Sequence, residues 1–449
     1  MKTDLVALVN PPSSLGTVAN REGAAGLGNV YPLRQGVPYP PQTIAYVAAA
    51  ARNHGYRVQV MDAVLSNYTL SMIVHHLEAL EPDVIGVFVS HATFDADVAF
   101  VNVLKARLPE SRIIVFGPVT RFRTEELAQE SLADVVLLGE AEGYFPQACD
   151  DLLAKRSVEE WDEVGSQSRV LGDREGFVEQ IEELPFPAWD LVDRSKLWRL
   201  SLSASRGCAE KCSYCPYVAA QGPRIRTRPT ESIMEELQYL IRALDTRYLV
   251  FRDPAFAASR ESVMMLCEQI LRSGLIFRWE CESRPEHFDH EMIALMKRAG
   301  CQEIKIGLET ADEGILVKVE RVRDETSARV HAEKTAKVVE SCRLVGLRCR
   351  VFAMVGLPGQ TCDSVDLTAS FIEEIRPRAL NVKSFEAYPG IRLAAFPSGQ
   401  EDSGERLYQL REGIEQRESL ANRISRPGIL SRRGLKRRIE SLGLRLAGR

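Results

Sequence analysis

The chain has 449 residues, 45% of them hydrophobic and 27% charged, with a formal net charge of −5. That length exceeds what one hydrophobic core usually serves, so two domains are expected, and the charge balance gives no footprint for nucleic acid. No apolar run approaches the roughly 20 residues needed to span a bilayer, and ten cysteines in so long a chain do not make a disulfide scaffold.

The first apolar stretch contains Asp4 and lacks a small-residue cleavage site, so Leu5–Val9 reads as a buried strand and not as a leader. Similar partly β-branched runs recur at Arg57–Met61, Val84–Val89, Arg112–Phe116 and Val135–Leu138. Helical patterns lie between them, among them Ile44–Asn53 before Gly55 and Val98–Leu108 before Pro109. Strands alternating with helices predict a doubly wound, Rossmann-like α/β domain over residues 1–150. Ligands on such sheets bind beyond the carboxyl ends of the strands. Those ends carry Asn10-Pro11-Pro12, Ser90-His91, Gly117-Pro118-Val119-Thr120 and Gly139-Glu140-Ala141-Glu142.

Residues 151–197 read as a linker, ending in Leu184-Pro185-Phe186-Pro187-Ala188-Trp189-Asp190, an extended connector stiffened by two prolines. From residue 198 to about 400 the alternation resumes. The strand Ser201–Ser205 delivers Arg206-Gly207-Cys208-Ala209-Glu210-Lys211-Cys212-Ser213-Tyr214-Cys215-Pro216-Tyr217. Thiolates at this spacing suit two kinds of centre: a zinc site completed by a distant ligand, or an iron–sulfur cluster. On a four-iron cluster three thiolates leave one iron open to a small molecule. Free thiolates also call for a reducing compartment, which points to the cytoplasm.

A helix is expected over Thr230–Leu244 with Thr230 as N-cap. Further strands read at Tyr248–Arg252, Phe277–Cys281, Glu303–Gly307, Arg348–Met354 and Leu380–Phe385. Six strands with intervening helices predict a partial (β/α)6 barrel, whose strand ends gather the chemistry. They carry Asp253, Arg284, Glu309-Thr310, the turn from Gly356 to Thr361, and Tyr388-Pro389-Gly390. Cys267, Cys281, Cys301, Cys342, Cys349 and Cys362 read as small apolar residues, with Cys281 and Cys349 open to a second reading as thiols of the barrel lumen. Residues 401–449 form a tail of helical pattern that turns basic at Arg423, Arg426, Arg432, Arg433, Lys436, Arg437, Arg438, Arg445 and Arg449. A solvated helix closing the barrel mouth is the expectation there, a dock for an anionic substrate or carrier the alternative.

The run Cys208, Cys212, Cys215 with Tyr214 before the third thiol resembles the signature of the radical S-adenosylmethionine (SAM) enzymes. The order of loops in the first third resembles the cobalamin-binding domain that precedes many radical SAM barrels. Asn10-Pro11-Pro12, Tyr39-Pro40-Pro41 and Gly139-Glu140-Ala141-Glu142 carry that likeness. The resemblance implies a [4Fe–4S] cluster on the three cysteines, with Tyr214, Asp253, Arg284, Glu309, Thr310 and Gly356 around SAM. It implies cobalamin near Pro11, Pro12, Ser90, His91, Gly117, Thr120, Gly139 and Glu140. Two departures stand out: Phe116-Gly117 replaces a frequent pair of glycines, and the Asp-x-His-x-x-Gly motif is absent. No histidine ligand to cobalt is therefore expected, His91 being only the nearest by position. Only Cys149 precedes Cys208, so the second cluster of the methylthiotransferases is not expected. The implied activity is a cobalamin-dependent methyltransferase acting on an unactivated carbon or phosphorus of a small molecule through a 5′-deoxyadenosyl radical, with flavodoxin or ferredoxin as electron donor. A non-methylating rearrangement or cyclisation, or a radical SAM enzyme that has lost cobalamin, is the alternative.

Overall fold

The computed structural model describes residues 4–34, 36–154, 168–395 and 404–424. The first of its two six-stranded parallel sheets contains β1 (Leu5–Asn10), β2 (Arg57–Asp62), β3 (Val84–Phe88), β4 (Arg112–Phe116), β5 (Val135–Leu137) and β6 (Arg169–Leu171), in the order β2-β1-β3-β4-β5-β6. β1, β3 and β5 are buried along their whole length, as a parallel sheet between helical layers requires. β6 lies in the segment read as a connector. Its three residues pair with Val135, Val136 and Leu137, and so short a strand is defined by its neighbour and not by any periodicity of its own.

The second sheet holds β7 (Leu200–Leu202), β8 (Tyr248–Phe251), β9 (Arg278–Ser283), β10 (Cys301–Glu309), β11 (Arg348–Val355) and β12 (Ala379–Ser384) in sequential order. β7 and β12 are its two edges, so the expected barrel is partial. Alternate residues, among them Leu249, Trp279, Cys281, Ile304, Cys349 and Val351, join the main apolar core. Cys281 and Cys349 thus belong to the apolar face and not to the lumen. The opposite face carries ion pairs: Glu280 accepts from Arg199 (2.8 Å) and Lys305 (2.7 Å), and Glu303 from Arg350 (2.5 Å).

Two local expectations are corrected. Pro229 takes the cap position of the helix Thr230–Gln238, leaving Thr230 inside the first turn without a capping bond. Cys362 is exposed, because it begins the helix Cys362–Ile375 just after the true cap, Thr361. The helix Glu405–Ile424 packs through Leu407 and Ile414 into the core beside β12, which covers that edge strand. The basic residues from Arg426 onward, and the side chain of Arg423, lie outside the described residues. Among the described residues no helix is long and apolar enough to cross a membrane.

One apolar cluster crosses between the sheets, uniting Leu27, Val89 and Val119 with Cys212, Tyr214, Val319, Leu357 and Tyr388. Directed bonds supplement it: Gln42 Nε2 donates to Ser203 Oγ (2.9 Å) and Asn29 Nδ2 to the Tyr388 hydroxyl (2.7 Å).

Gly117 ends β4 at φ +130°, and a Cβ there would stand 2.4 Å from the Val89 carbonyl oxygen. Gly117→Ala combines backbone strain with overpacking, so a loss of about 2–4 kcal/mol is expected in denaturant unfolding. An unchanged midpoint would refute the close approach.

Candidate active site

β7 runs into a two-residue strand, Ser205–Arg206, which pairs antiparallel with Arg226–Thr227. The cysteine loop hangs between these two short strands. Cys215 caps the short helix Pro216–Gln221. Cys208 and Cys212 are buried, and burial pushes the thiols of Cys208 and Cys215 up, so iron must displace their protons to bind. Cys212 Sγ accepts hydrogen bonds from Arg284 Nη1 and Arg321 Nη1, both at 3.7 Å. Soft donors answered by two guanidiniums fit an iron–sulfur cluster.

Arg284, at the end of β9, has its fork occupied. It donates to Glu210 (2.6 Å), to Glu286 (3.2 Å) and to the Arg321 carbonyl (2.9 Å). Buried His331 in turn meets Glu286 through Nδ1 and the Leu308 carbonyl through Nε2 (3.2 Å). Arg321 is freer: Nη2 donates to the Gly307 carbonyl (2.7 Å), while Nε is buried with no partner. Burial opposes its charge, but the carboxylates of Glu309 and Glu286 help hold the guanidinium protonated. Glu309 sits at φ +65°, a strained conformation for a residue with a side chain. A Cβ on Gly307 would stand 2.2 Å from its Oε1, so a side chain there would have to push the Glu309 carboxylate aside.

The other residues expected near SAM divide. Tyr214 is buried in the apolar cluster with Val319 and Leu357. Thr310 is fully buried and bonds to Thr368 Oγ1 (2.9 Å), tying β10 to the neighbouring helix. Gly356 opens a turn closed by Gln360, which donates to the Met354 carbonyl (3.1 Å). Asp253 turns inward beneath the cysteine loop, accepting from Ala204 N (3.1 Å), Ser205 N and Ser205 Oγ (2.7 Å). It holds the strand that delivers the thiols.

On the other side, the turns after β4 and β5 reach the same space. A solvent-open cavity is walled by Gly26, Gly117, Gly139 and Glu140 from the first sheet's side, and by Ser203, Arg206, Gln221 and Arg252 from the second's. The carboxyl ends of both sheets therefore face one another across it. Gln42 Oε1 is buried there without a partner, an acceptor that suits the carboxamide rim of cobalamin. Thr120 Oγ1 donates to the Gly117 (2.9 Å) and Leu137 (2.7 Å) carbonyls and so holds the turn. Pro11 offers its carbonyl to Arg21 (2.8 Å), and Pro12 is half-buried beside it. Ser90 is buried and bonds to Thr93 (2.8 Å). His91 lies outside the walls of this cavity, its ring edge-on to Tyr388 and its Nδ1 buried without a partner. Burial lowers its pKa. The glutamate turn is engaged: Arg226 donates to both oxygens of Glu140 (2.7 and 2.9 Å).

Arg321, Gln42, Arg206 and Arg226 escaped the sequence reading. Arg206 opens the quoted cysteine run, where it was given no role, and Gln42 follows Tyr39-Pro40-Pro41; nothing in the spacing marks Arg321 or Arg226.

A parallel α/β domain opposing a partial barrel with a three-cysteine loop defines an enzyme built around two large cofactors. Residues 202–372 match the radical SAM superfamily and residues 33–148 match the B12 binding domain. The chain belongs to the radical SAM enzymes that carry a cobalamin-binding domain, and its cofactors are a [4Fe–4S] cluster, SAM and cobalamin. The uncharacterized methyltransferase PH0819 of Pyrococcus horikoshii is 23% identical over 369 residues, 80% of this chain and 78% of its own. Hopanoid C-3 methylase of Methylococcus capsulatus is 26% identical over 362 residues, 78% and 67% of the two chains. The radical SAM methyltransferase TsrM of Kitasatospora setae, solved with its tryptophan substrate and a SAM analog, shares the fold at TM-score 0.68 and 17% identity, covering 87% of this chain and 76% of that one.

Burial pushes the Asp253 carboxyl up to about 6 against the bonds from Ser205 and Ala204 that pull it down. Its folded value lies above its ordinary 3.8, so its contribution to stability is complete below that value and is lost as pH rises through about 6, by about 3 kcal/mol in all. Asp253→Asn should flatten this part of the stability profile between about pH 4 and 6. It should also cost about 1–3 kcal/mol at pH 5, because the amide nitrogen faces a backbone donor. Parallel profiles for the two proteins would refute the assignment.

Proposed function

We propose that the protein is a cobalamin-dependent methyltransferase that uses SAM radical chemistry to methylate an unactivated carbon, or a phosphorus, of a small molecule. The observation that carries this reading is the opposition of two sets of strand ends across one cavity, with Arg206 and Ala220-Gln221, which flank the cysteines, on one wall and the B12-domain turns on the other. When bound, the cluster and SAM supply a 5′-deoxyadenosyl radical and cobalamin supplies a methyl group. The methyltransferase names of the relatives support the same reading.

The chain's own residues bind and orient these groups. Cys208, Cys212 and Cys215 would hold the iron, with Arg284 and Arg321 stabilising the Cys212 thiolate. Arg321 is better placed than Arg284 to take the SAM carboxylate, since one of its donors is still unpaired while the Arg284 fork is occupied. Glu309, beside Arg321 and held in a strained conformation, would accept from the SAM amino or ribose groups. Tyr214 would pack by the adenine. Thr310, Asp253 and Gly356 would act one layer back, fixing the strand ends. Gly117, Gly139 and Gln42 would line the corrin, Thr120 fixing their turn, while Pro11, Pro12, Ser90 and His91 would support the neighbouring strand ends. The apolar contact between the domains would keep water from the reacting carbon. A flavodoxin or ferredoxin in a reducing cytoplasm would supply the electron, and residues 1–150 and 198–400 would divide the work between cobalamin and SAM.

Anaerobic reconstitution with iron, sulfide, cobalamin and SAM should give cluster iron, corrinoid absorbance, and S-adenosylhomocysteine together with 5′-deoxyadenosine. Deoxyadenosine formed without S-adenosylhomocysteine would move the assignment to a non-methylating reaction, and loss of the corrinoid on desalting would remove cobalamin from it. In the same preparation Arg321→Gln should weaken SAM binding at least about tenfold, the scale of a lost charge-assisted bond, with iron content retained. Arg284→Gln should mainly lower iron content. The reverse pattern would return the carboxylate to Arg284.

A further inference from the structure

We infer that the B12-binding domain grips both ends of the cysteine loop, and that Glu140 and Glu142 serve as positioning residues for the cluster and not as ligands of cobalamin. Arg206 stands two residues before Cys208 and is paired across the ribbon with Arg226. Both guanidiniums point back into the turn after β5. Arg226 donates to both carboxylate oxygens of Glu140, and Val178 N donates to Glu140 Oε2 (2.8 Å). Arg206 bonds to Glu142, lies 3.3 Å from Glu140 Oε2, and stacks 4.8 Å from the Tyr46 ring centroid. The Glu140 carboxylate thus has protein donors on both oxygens. Two acids and two bases balance at side-chain exposures of 10% or less, so breaking either pair strands a buried charge.

The far end of the loop is held from the same domain. Arg121, in the turn after Gly117, donates to the carbonyls of Ala219 (2.9 Å) and Ala220 (3.3 Å). Those carbonyls end the short helix that Cys215 begins. A cation at unpaired terminal carbonyls is stabilising. The first thiol is therefore set by the turn after β5 and the third by the turn after β4, and both turns wall the cavity. A ligand that orders those turns must also order the thiols, and by reciprocity an assembled cluster must favour that ligand. This coupling rests on the proposed reading only for the identity of cobalamin as the ligand; the grip itself does not.

The test compares full-length wild type with Glu140→Gln/Glu142→Gln and with Arg121→Gln, following loss of cluster iron to a chelator with and without hydroxocobalamin. Cobalamin should slow iron loss in wild type at least about fivefold, the lower end of measured couplings, and less than about twofold in either variant. Both variants should also lose iron faster than wild type without cobalamin. Cobalamin affinity before iron loading should stay within about threefold. Wild-type rates in the variants would overturn the grip, and loss of cobalamin affinity with an undisturbed cluster would make the carboxylates ligands. If the double variant does not fold, as judged by circular dichroism, Arg226→Lys and Arg121→Gln decide by the same rates. If wild type takes up no corrinoid, the proposed function falls while iron loss without cobalamin still judges the grip.

Discussion

A loop that buries two of its three thiolates needs its negative charge answered from outside itself. Here the answer comes from two directions. Arg284 and Arg321, from the barrel, reach the sulfur of Cys212, while Arg206 and Arg226 anchor the loop's stem to carboxylates of the other domain. Each guanidinium is itself held by carbonyls or carboxylates, which limits the entropy lost when the thiolates accept its donors. The loop has little regular structure of its own. Its shape is imposed by charges placed around it.

The same logic explains why two separate sheets are needed. Parallel strands direct their variable turns to one end, and a single sheet presents one such end. Opposing two of them encloses a cavity whose walls come from unrelated parts of the chain, so two cofactors can be aimed at one volume. The apolar cluster that joins Val119 to Tyr214 and Tyr388 keeps the two ends in fixed relation. Ion pairs buried at its border add orientation more than stability, since their desolvation offsets much of their attraction.

Much of the fold was legible because a parallel strand buried on both faces is written as a continuous apolar run. Val84–Phe88 and Arg112–Phe116 could be read with near-final boundaries for that reason. β6 could not, since Arg169–Leu171 is three residues long and exists through pairing with β5. Thr230 looked like a cap from its type and place, yet Pro229 fixes the entry of that helix. Cys362 shows the same limit: composition says that free cysteines are buried, and only the helix start exposes this one.

The sequence alone determined that three soft donors sit at one spacing within one loop, which narrows the centre to an iron–sulfur cluster or zinc. It also determined at which end of each sheet the loops after the strands gather, since alternation with helices makes the strands parallel. Tertiary structure decided which side chains remain available. Arg284 is fully occupied while Arg321 keeps one nitrogen unpaired, Thr310 and Asp253 brace the scaffold, and Glu140 is committed to Arg226. Those differences turn on partners far apart in the chain, and a hydrogen-bonding group satisfied by a distant residue looks the same in sequence as one left free.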